Sequence, residues 1–491
     1  MENGSLNLNP TNVWSHFYEL TQIPRPSGQM RQVTSFIENF GSRLGLHTVR
    51  DSANNVCIRK PATEGYENKQ TVILQSHLDM VPQSNSNIQF DFSEDAINAY
   101  VDEGWVKAGG TTLGADNGIG VAVTMAILED ETLEHGPLEA LFTTDEETGM
   151  YGAFAIRPEF VEGKIMLNMD SEQDGELYIG CAGGADVSVQ FQYEDETWIP
   201  KEDVAVKVAL TGLKGGHSGV DIHLGRANAN KLLFRFLKEA MLIYDIRLSS
   251  VSGGTLRNAI PREAFATIVV DGKEQYERIK EMVSGYEKLF NEEFAGIEDK
   301  IEFKTEFVTI DSAMKLIPKQ VQERLIHAIA GCPNNVINKF AELPDTVETS
   351  INMAIVQSNS GLIDVKFLAR SSSESRKMEI CQNIESIFTL AKADFIEIGN
   401  TYPGWTPNPQ SPILAIMEKV YEEQNGTKPE IKVMHAGLEC GIILSNIPGL
   451  DTVSFGPTIK FPHSPDEKVE IATVERFYQY LIEILKQVPN K

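Results

Sequence analysis

A set of short apolar runs, each closing on polar or charged residues, constrains this chain more than any other feature. They are residues 71–75, 138–143, 164–169, 431–434 and 452–455. Continuous rather than alternating apolarity marks strands covered on both faces. Helical stretches lie beside them. Residues 118–129 carry Ile119, Val123, Ala126 and Ile127 on one face, and 412–423 and 474–488 read the same way. Strands alternating with helices predict an α/β domain built on a mostly parallel sheet.

The middle of the chain has a different grammar. Residues 204–210 alternate, 226–244 read as a helix, and 246–252 and 264–270 read as strands. Ile279, Met282, Val283, Tyr286, Leu289 and Phe290 recur at helical spacing within 276–290. A strand at 301–308, a helix at 321–330, two further strands and a helix at 375–391 repeat part of this order. This is an α+β pattern, so 187–402 is expected to be an inserted lid domain, long enough for two similar halves. The Pro-rich stretch 402–412 would be the return crossing. The first domain is then discontinuous, 1–186 plus 403–491. A chain of 491 residues exceeds what one hydrophobic core supports, so two domains are expected on length alone.

Composition narrows the partners. The net charge is −27, from 43 basic and 70 acidic residues, which disfavours nucleic acid. No apolar run reaches the roughly 18 residues of a membrane span. Residues 1–10 lack the basic start and apolar stretch of a secretory signal. Cys57, Cys181, Cys332, Cys381 and Cys440 are scattered with no CxxC pair, so small buried thiols in a reducing cytoplasm are expected.

The polar residues that close the apolar runs carry the chemistry. His77 and Asp79 follow the first run, and the period of two lets them point the same way. A ligating imidazole usually gives its other N–H to a carboxylate, a role Asp79 is placed for. Asp116 precedes the helix at 118, where it is either an N-cap or a carboxylate bridging two metals. Asp145, Glu146 and Glu147 follow the second run, and Asp170 the third. His463 lies in a late loop. Taken singly, each has an ordinary structural explanation. Together they put imidazoles and carboxylates at the edge where open α/β sheets bind ligands. That donor mix suits zinc, manganese or cobalt rather than calcium.

The segments HLDMVPQ, TTLGADNGIG, TDEETGMYGA, LNMDSE, GGHSG, RNAIP and FPHSPDE occur in this order along nearly the whole chain. They resemble the two-metal peptidase superfamily of carnosinases, aminoacylases and small-peptide peptidases, within it most of all the aminoacyl-histidine dipeptidases. The resemblance implies an aminopeptidase-like phosphorylase/hydrolase fold with a lid. It implies that His77 and Asp170 complete one metal and Glu147 and His463 the other, with Asp116 bridging and Asp79 orienting His77. Glu146 would be the general base. His217 would stabilise the oxyanion, from this chain or from a partner chain of a homodimer. Asn258, Arg370 and Gly437 would contact substrate, Arg370 through the C-terminal carboxylate. The implied cofactors are two divalent ions, zinc first, with cobalt and manganese as alternatives. The implied activity is hydrolysis of dipeptides, Xaa-His such as β-alanyl-histidine among them, by a water shared between the metals. An N-acyl amino acid amidohydrolase on the same site is the alternative.

Overall fold

The structure is a computed structural model and describes residues 6–198, 203–308 and 314–491. The chain divides into two compact units. One takes the chain up to Gly180 together with Trp405–Val433 and Leu438–Lys491. The other takes Cys181–Gly404 and Met434–Gly437. The first crossing falls before the expected 186/187 because Gly183–Gln192 is a strand of the second unit's sheet, paired with Leu362–Ser371 and Phe395–Tyr402. Its polar and small residues, GGADVSVQFQ, hide it from an apolar-run criterion. The short return of 434–437 to the second unit has no signal in the sequence reading.

The first unit is built on an eight-stranded sheet. Its spatial order is His47–Arg50, Val56–Lys60, Leu138–Thr143, Val72–His77, Ile165–Asn168, Asp451–Ser454, Glu176–Cys181, Glu430–Met434. The four middle strands, Leu138–Thr143 through Asp451–Ser454, are mutually parallel, and antiparallel pairs flank them. Leu138–Thr143, Val72–His77 and Ile165–Asn168 are buried at every residue, which is why their sequences are mostly apolar and do not alternate with solvent-facing polar residues. Helices Thr11–Thr21, Ala115–Glu129 and Ile471–Gln487 share their core. Trp14 and Phe17, Ile119 and Val123, and Phe477 and Leu481 join Val72, Leu74, Leu138, Ala140 and Leu167 in one apolar cluster. Each buried Val, Leu, Ile or Phe side chain among these contributes about 1.5–3 kcal/mol.

One expectation about this sheet is corrected. The run at 431–434 was expected to be covered on both faces, but Glu430–Met434 is an outermost strand and only half-buried. The alternation of Glu430, Lys432 and Met434 with Ile431 and Val433 is the signal that fits an edge. A smaller antiparallel sheet of Ala99–Asp102, Trp105–Ala108, Lys468–Glu470 and Ile459–Lys460 frames the loop 461–467 that carries His463.

The second unit holds a nine-stranded sheet in which Glu302–Val308, Val204–Thr211, Ala264–Val270, Arg247–Gly253, Val347–Asn359, Leu362–Ser371, Gly183–Gln192 and Phe395–Tyr402 follow one another, with Asn335–Lys339 beside Val347–Asn359. Its pairings are antiparallel. Helices Ala229–Tyr244, Gly272–Glu293, Lys319–Gly331 and Glu374–Leu390 contribute Phe236, Ile279, Leu325 and Phe388 to a separate core with Phe303 and Phe367. Ala229–Tyr244 starts where it does because the Asn228 side chain accepts the Lys231 N–H as an N-cap. Among the described residues no helix is long and apolar enough to cross a membrane.

Candidate active site

The parallel strands deliver functional side chains to one sheet edge. His77 ends Val72–His77, Glu146 and Glu147 follow Leu138–Thr143, and Asp170 follows Ile165–Asn168. Asp116 has the extended backbone that an N-cap would have, φ −81° and ψ 111°, but among the described residues its carboxylate oxygens meet imidazoles rather than the N–H groups of the helix's first turn. The carboxylate is instead shared between two imidazoles. Its Oδ1 lies 3.0 Å from His77 Nε2 and its Oδ2 lies 3.3 Å from His463 Nε2.

Each imidazole has a second carboxylate. Asp170 Oδ1 is 3.2 Å from His77 Nε2, and Glu147 Oε2 is 3.0 Å from His463 Nε2. The other face of His77 turns to Asp79, with Nδ1 3.3 Å from Oδ1 and 3.2 Å from the Asp79 carbonyl. Asp79 also accepts the Ser27 hydroxyl and the backbone N–H groups of Glu146 and Glu147, so it orients both strand ends. Asn117 donates to Asp170 Oδ1 and to the Met169 carbonyl at 2.7 Å each.

Three groupings bring potential ligand atoms within 4.8 Å of one another: His77, Asp116 and Asp170; Asp116, Glu147 and His463; and His77, Glu146 and Glu147. The first two share Asp116. Asp145, the remaining acid of the triplet, accepts the Gly28 N–H and joins none of the three groupings.

The electrostatics ask for positive charge. Hydrogen bonds to the Asp116 and Glu147 carboxylates push the His463 imidazolium up to about 11. Burial works against a charged His77, but Asp170, Asp116 and Asp79 outweigh it and raise its pKa well above the ordinary value. Burial raises Asp170 to about 6. Burial, with Asp170, Glu147 and Glu439 adding, lifts Glu146 well above the usual carboxylate range. Glu147 Oε1 is buried without a hydrogen-bond partner among the described residues. Imidazoles held between carboxylates, an orphaned carboxylate oxygen and shared Asp116 form a donor set that fits a pair of divalent cations of the zinc, manganese or cobalt class.

In the second unit, His217 lies on the short strand Gly216–His217, and its Nδ1 accepts the N–H groups of Gly219 (3.1 Å) and Val220 (3.0 Å). The ring proton of the neutral imidazole is therefore on Nε2. Burial, then Arg370, lowers its pKa and favours that neutral form. Arg370 is buried in Leu362–Ser371. It donates through Nη1 to the Tyr402 hydroxyl, and its Nε has no hydrogen-bond partner among the described residues. A Cβ at Gly219 would sit 3.0 Å from His217 Cε1, 3.1 Å from Arg370 Nε and 2.2 Å from the His435 carbonyl, so these groups converge there. Gly437 follows in the same short segment as His435. Asn258 is an exposed turn residue whose backbone carbonyl accepts the Ser218 N–H at 2.8 Å. No contact of its side chain joins this group.

Several buried polar residues escape the sequence reading. Glu439 accepts Thr143 Oγ1 (2.6 Å) and Gln75 Nε2 (2.7 Å) directly beneath the strand ends, and burial raises it to about 8. Burial also raises Glu172, beside Asp170, to about 8. In the second unit, His435 Nε2 meets Ser350 Oγ at 2.7 Å. The available signal was a charged residue set in an apolar context, as in GLECGIIL, which is weak without the fold.

The fold and this site define a peptidase: residues 73–487 match the model of peptidase family M20/M25/M40, and the chain belongs to that family. It is a metallopeptidase. Among individual relatives, it is 43% identical to the cytosol non-specific dipeptidase of Escherichia coli, over 99% of both chains. The aminoacylhistidine dipeptidase structure from Vibrio alginolyticus superposes with a TM-score of 0.92 at 44% identity, covering 99% of this chain and 98% of that one. The aminopeptidase PepT from Bacillus cereus, at 15% identity and a TM-score of 0.57 over 98% and 99% of the two chains, shares the fold.

Proposed function

We propose that this chain is a two-metal dipeptidase that cleaves dipeptides with a free C-terminal carboxylate, Xaa-His dipeptides among them. The observation that carries this reading is Asp116, whose two oxygens face the imidazoles of His77 and His463, each flanked by a further carboxylate. We assign His77, Asp116 and Asp170 to one cation and Asp116, Glu147 and His463 to the other. Glu147 rather than Glu146 is assigned as a ligand because it makes the ion pair with His463. The names of the two dipeptidases similar along the whole chain support the substrate class. The word "cytosol" in one of them, with five buried cysteines that form no disulfide among the described residues, supports a cytoplasmic setting.

Two bound divalent ions would supply Lewis-acid polarisation and water activation. Glu146 takes the proton of the attacking water on a carboxylate oxygen and later gives it to the leaving amine nitrogen. A carboxyl whose pKa burial has raised suits both steps near neutrality. Asp79 holds His77 by Nδ1 so that Nε2 faces the cluster. His217 would donate its Nε2–H to the developing oxyanion, which its Nδ1 contacts leave free to do so. Arg370, with an unpaired Nε, would take the substrate carboxylate.

The test is Asp116→Ala in the purified full-length protein. It is expected to lose both cations, as read by metal content after dialysis, and with them dipeptide hydrolysis. Retention of two equivalents of cation would contradict the shared-carboxylate assignment.

A further inference from the structure

We infer that Arg25 and Glu467 are positioning residues that set the spacing of the cation-holding side chains, both acting through the loop that carries Asp116. The inference rests on the two-metal reading above and adds what fixes its geometry.

A fully buried carboxylate needs full compensation. Glu467 is 2% exposed and makes no ion pair among the described residues. Its partners are four successive backbone N–H groups. Oε2 accepts from Leu113 (2.7 Å) and Gly114 (2.9 Å), and Oε1 accepts from Ala115 (2.8 Å) and Asp116 (3.2 Å). Consecutive amides turned toward one anion form a nest, which needs a left-handed residue. Gly114, at φ +71°, supplies it. Glu467 lies in the same 461–467 loop as His463. The side chain that shapes the Asp116 loop is thus carried by the His463 loop.

Arg25 acts from the opposite side. It is also 2% exposed. Nη1 donates to the carbonyls of Leu78 (3.0 Å) and Asp79 (3.1 Å), the residues that follow His77. Nη2 donates to the Gly114 carbonyl. The packing there is close: a Cβ on Gly114 would fall 2.5 Å from Arg25 Nη2 and 2.8 Å from Met80 Sδ. Gly114 is therefore held by its N–H to Glu467 and by its C=O to Arg25. One residue ties the loop to the His77 strand and the other ties it to the His463 loop. On this inference, the 3.0 Å and 3.3 Å separations of Asp116 from the two imidazoles are set by groups whose hydrogen bonds, among the described residues, go to backbone atoms and to none of the three side chains.

The test uses metal-depleted full-length protein with zinc as the probe. Chelator-competition titration gives the affinity for each of two equivalents, and thermal unfolding of the metal-free form gives stability. Glu467→Gln places an amide NH2 against backbone N–H groups, and Arg25→Met removes the carbonyl cross-link. Each is expected to weaken zinc binding about 10–100-fold, the usual effect of losing a partner behind a ligand. Ile484→Ala, a cavity in the buried face of Ile471–Gln487, should lower the unfolding temperature and leave zinc affinity within about twofold, as independent sites do. If Glu467→Gln does not fold, Glu467→Asp keeps the charge, shortens the reach, and should show a smaller loss in the same direction. Wild-type affinity in both the Glu467 and Arg25 variants would overturn the inference. So would an equal affinity loss in Ile484→Ala at matched destabilisation. A wild-type protein that takes up fewer than two equivalents would instead fail the two-metal reading, and the inference would fall with it.

Discussion

Asp79 stands behind His77, its Oδ1 3.3 Å from the imidazole Nδ1, and so leaves Nε2 as the atom that faces Asp116 and Asp170. The same carboxylate receives the N–H groups of Glu146 and Glu147. Asp79→Asn is therefore expected to loosen the tautomer of His77 and the seat of both glutamates. Cation affinity should fall about 10–100-fold, read by chelator competition. An unchanged affinity would mean that His77 is oriented by the Asp79 carbonyl alone.

Glu146 differs from Glu147 in having no ion pair with His463. Glu146→Gln should lower kcat by about 10²–10⁴ through loss of proton transfer. Metal content should stay at the wild-type value. A variant with normal turnover would exclude Glu146 as the base, and one that lost a cation would make it a ligand.

The pH dependence of the metal-free protein follows from the cluster. His463, raised to about 11 by Asp116 and Glu147, contributes stability that is whole below about pH 6.5 and is lost as pH rises toward its folded pKa. Burial raises Glu172 and Glu439 to about 8, so their ionisation costs stability progressively up to that pH. The signs agree: metal-free unfolding temperature should fall between pH 6 and pH 9. Zinc should reverse most of the fall, and its affinity should rise over the same range because binding displaces protons. A metal-free unfolding temperature that rises with pH would contradict these assignments.

Arg370 offers an unpartnered Nε in a buried setting. Arg370→Met should raise KM for dipeptides more than it lowers kcat. It should also shrink the preference for a dipeptide over its C-terminal amide. A variant that keeps the full preference would leave Arg370 a structural residue of its strand.

The catalytic unit was legible because its strands are buried on both faces. Runs such as residues 72–74 and 140–142 are then apolar without alternation, and His77, Glu147 and Asp170 lie at or just beyond the ends of their strands. The approach of Asp116 to His463 was legible only through the family motifs that carry them, since in physical terms it depends on a helix start and a loop far apart in sequence. Gly183–Gln192 went unmarked because a half-polar strand needs its partners to be recognised. Arg25, Glu439 and Glu467 went unmarked because a buried charge is defined by the backbone groups it meets. Those groups come from other segments of the chain.

The most direct test of the central claim is hydrolysis of β-alanyl-histidine and leucyl-glycine beside N-acetyl-methionine, before chelation, after it, and after return of zinc, manganese or cobalt. The account predicts dipeptide cleavage that disappears with the chelator and returns with the metal. Cleavage of the acetylated substrate alone would favour an amidohydrolase, and dipeptide cleavage indifferent to chelation would contradict the site itself.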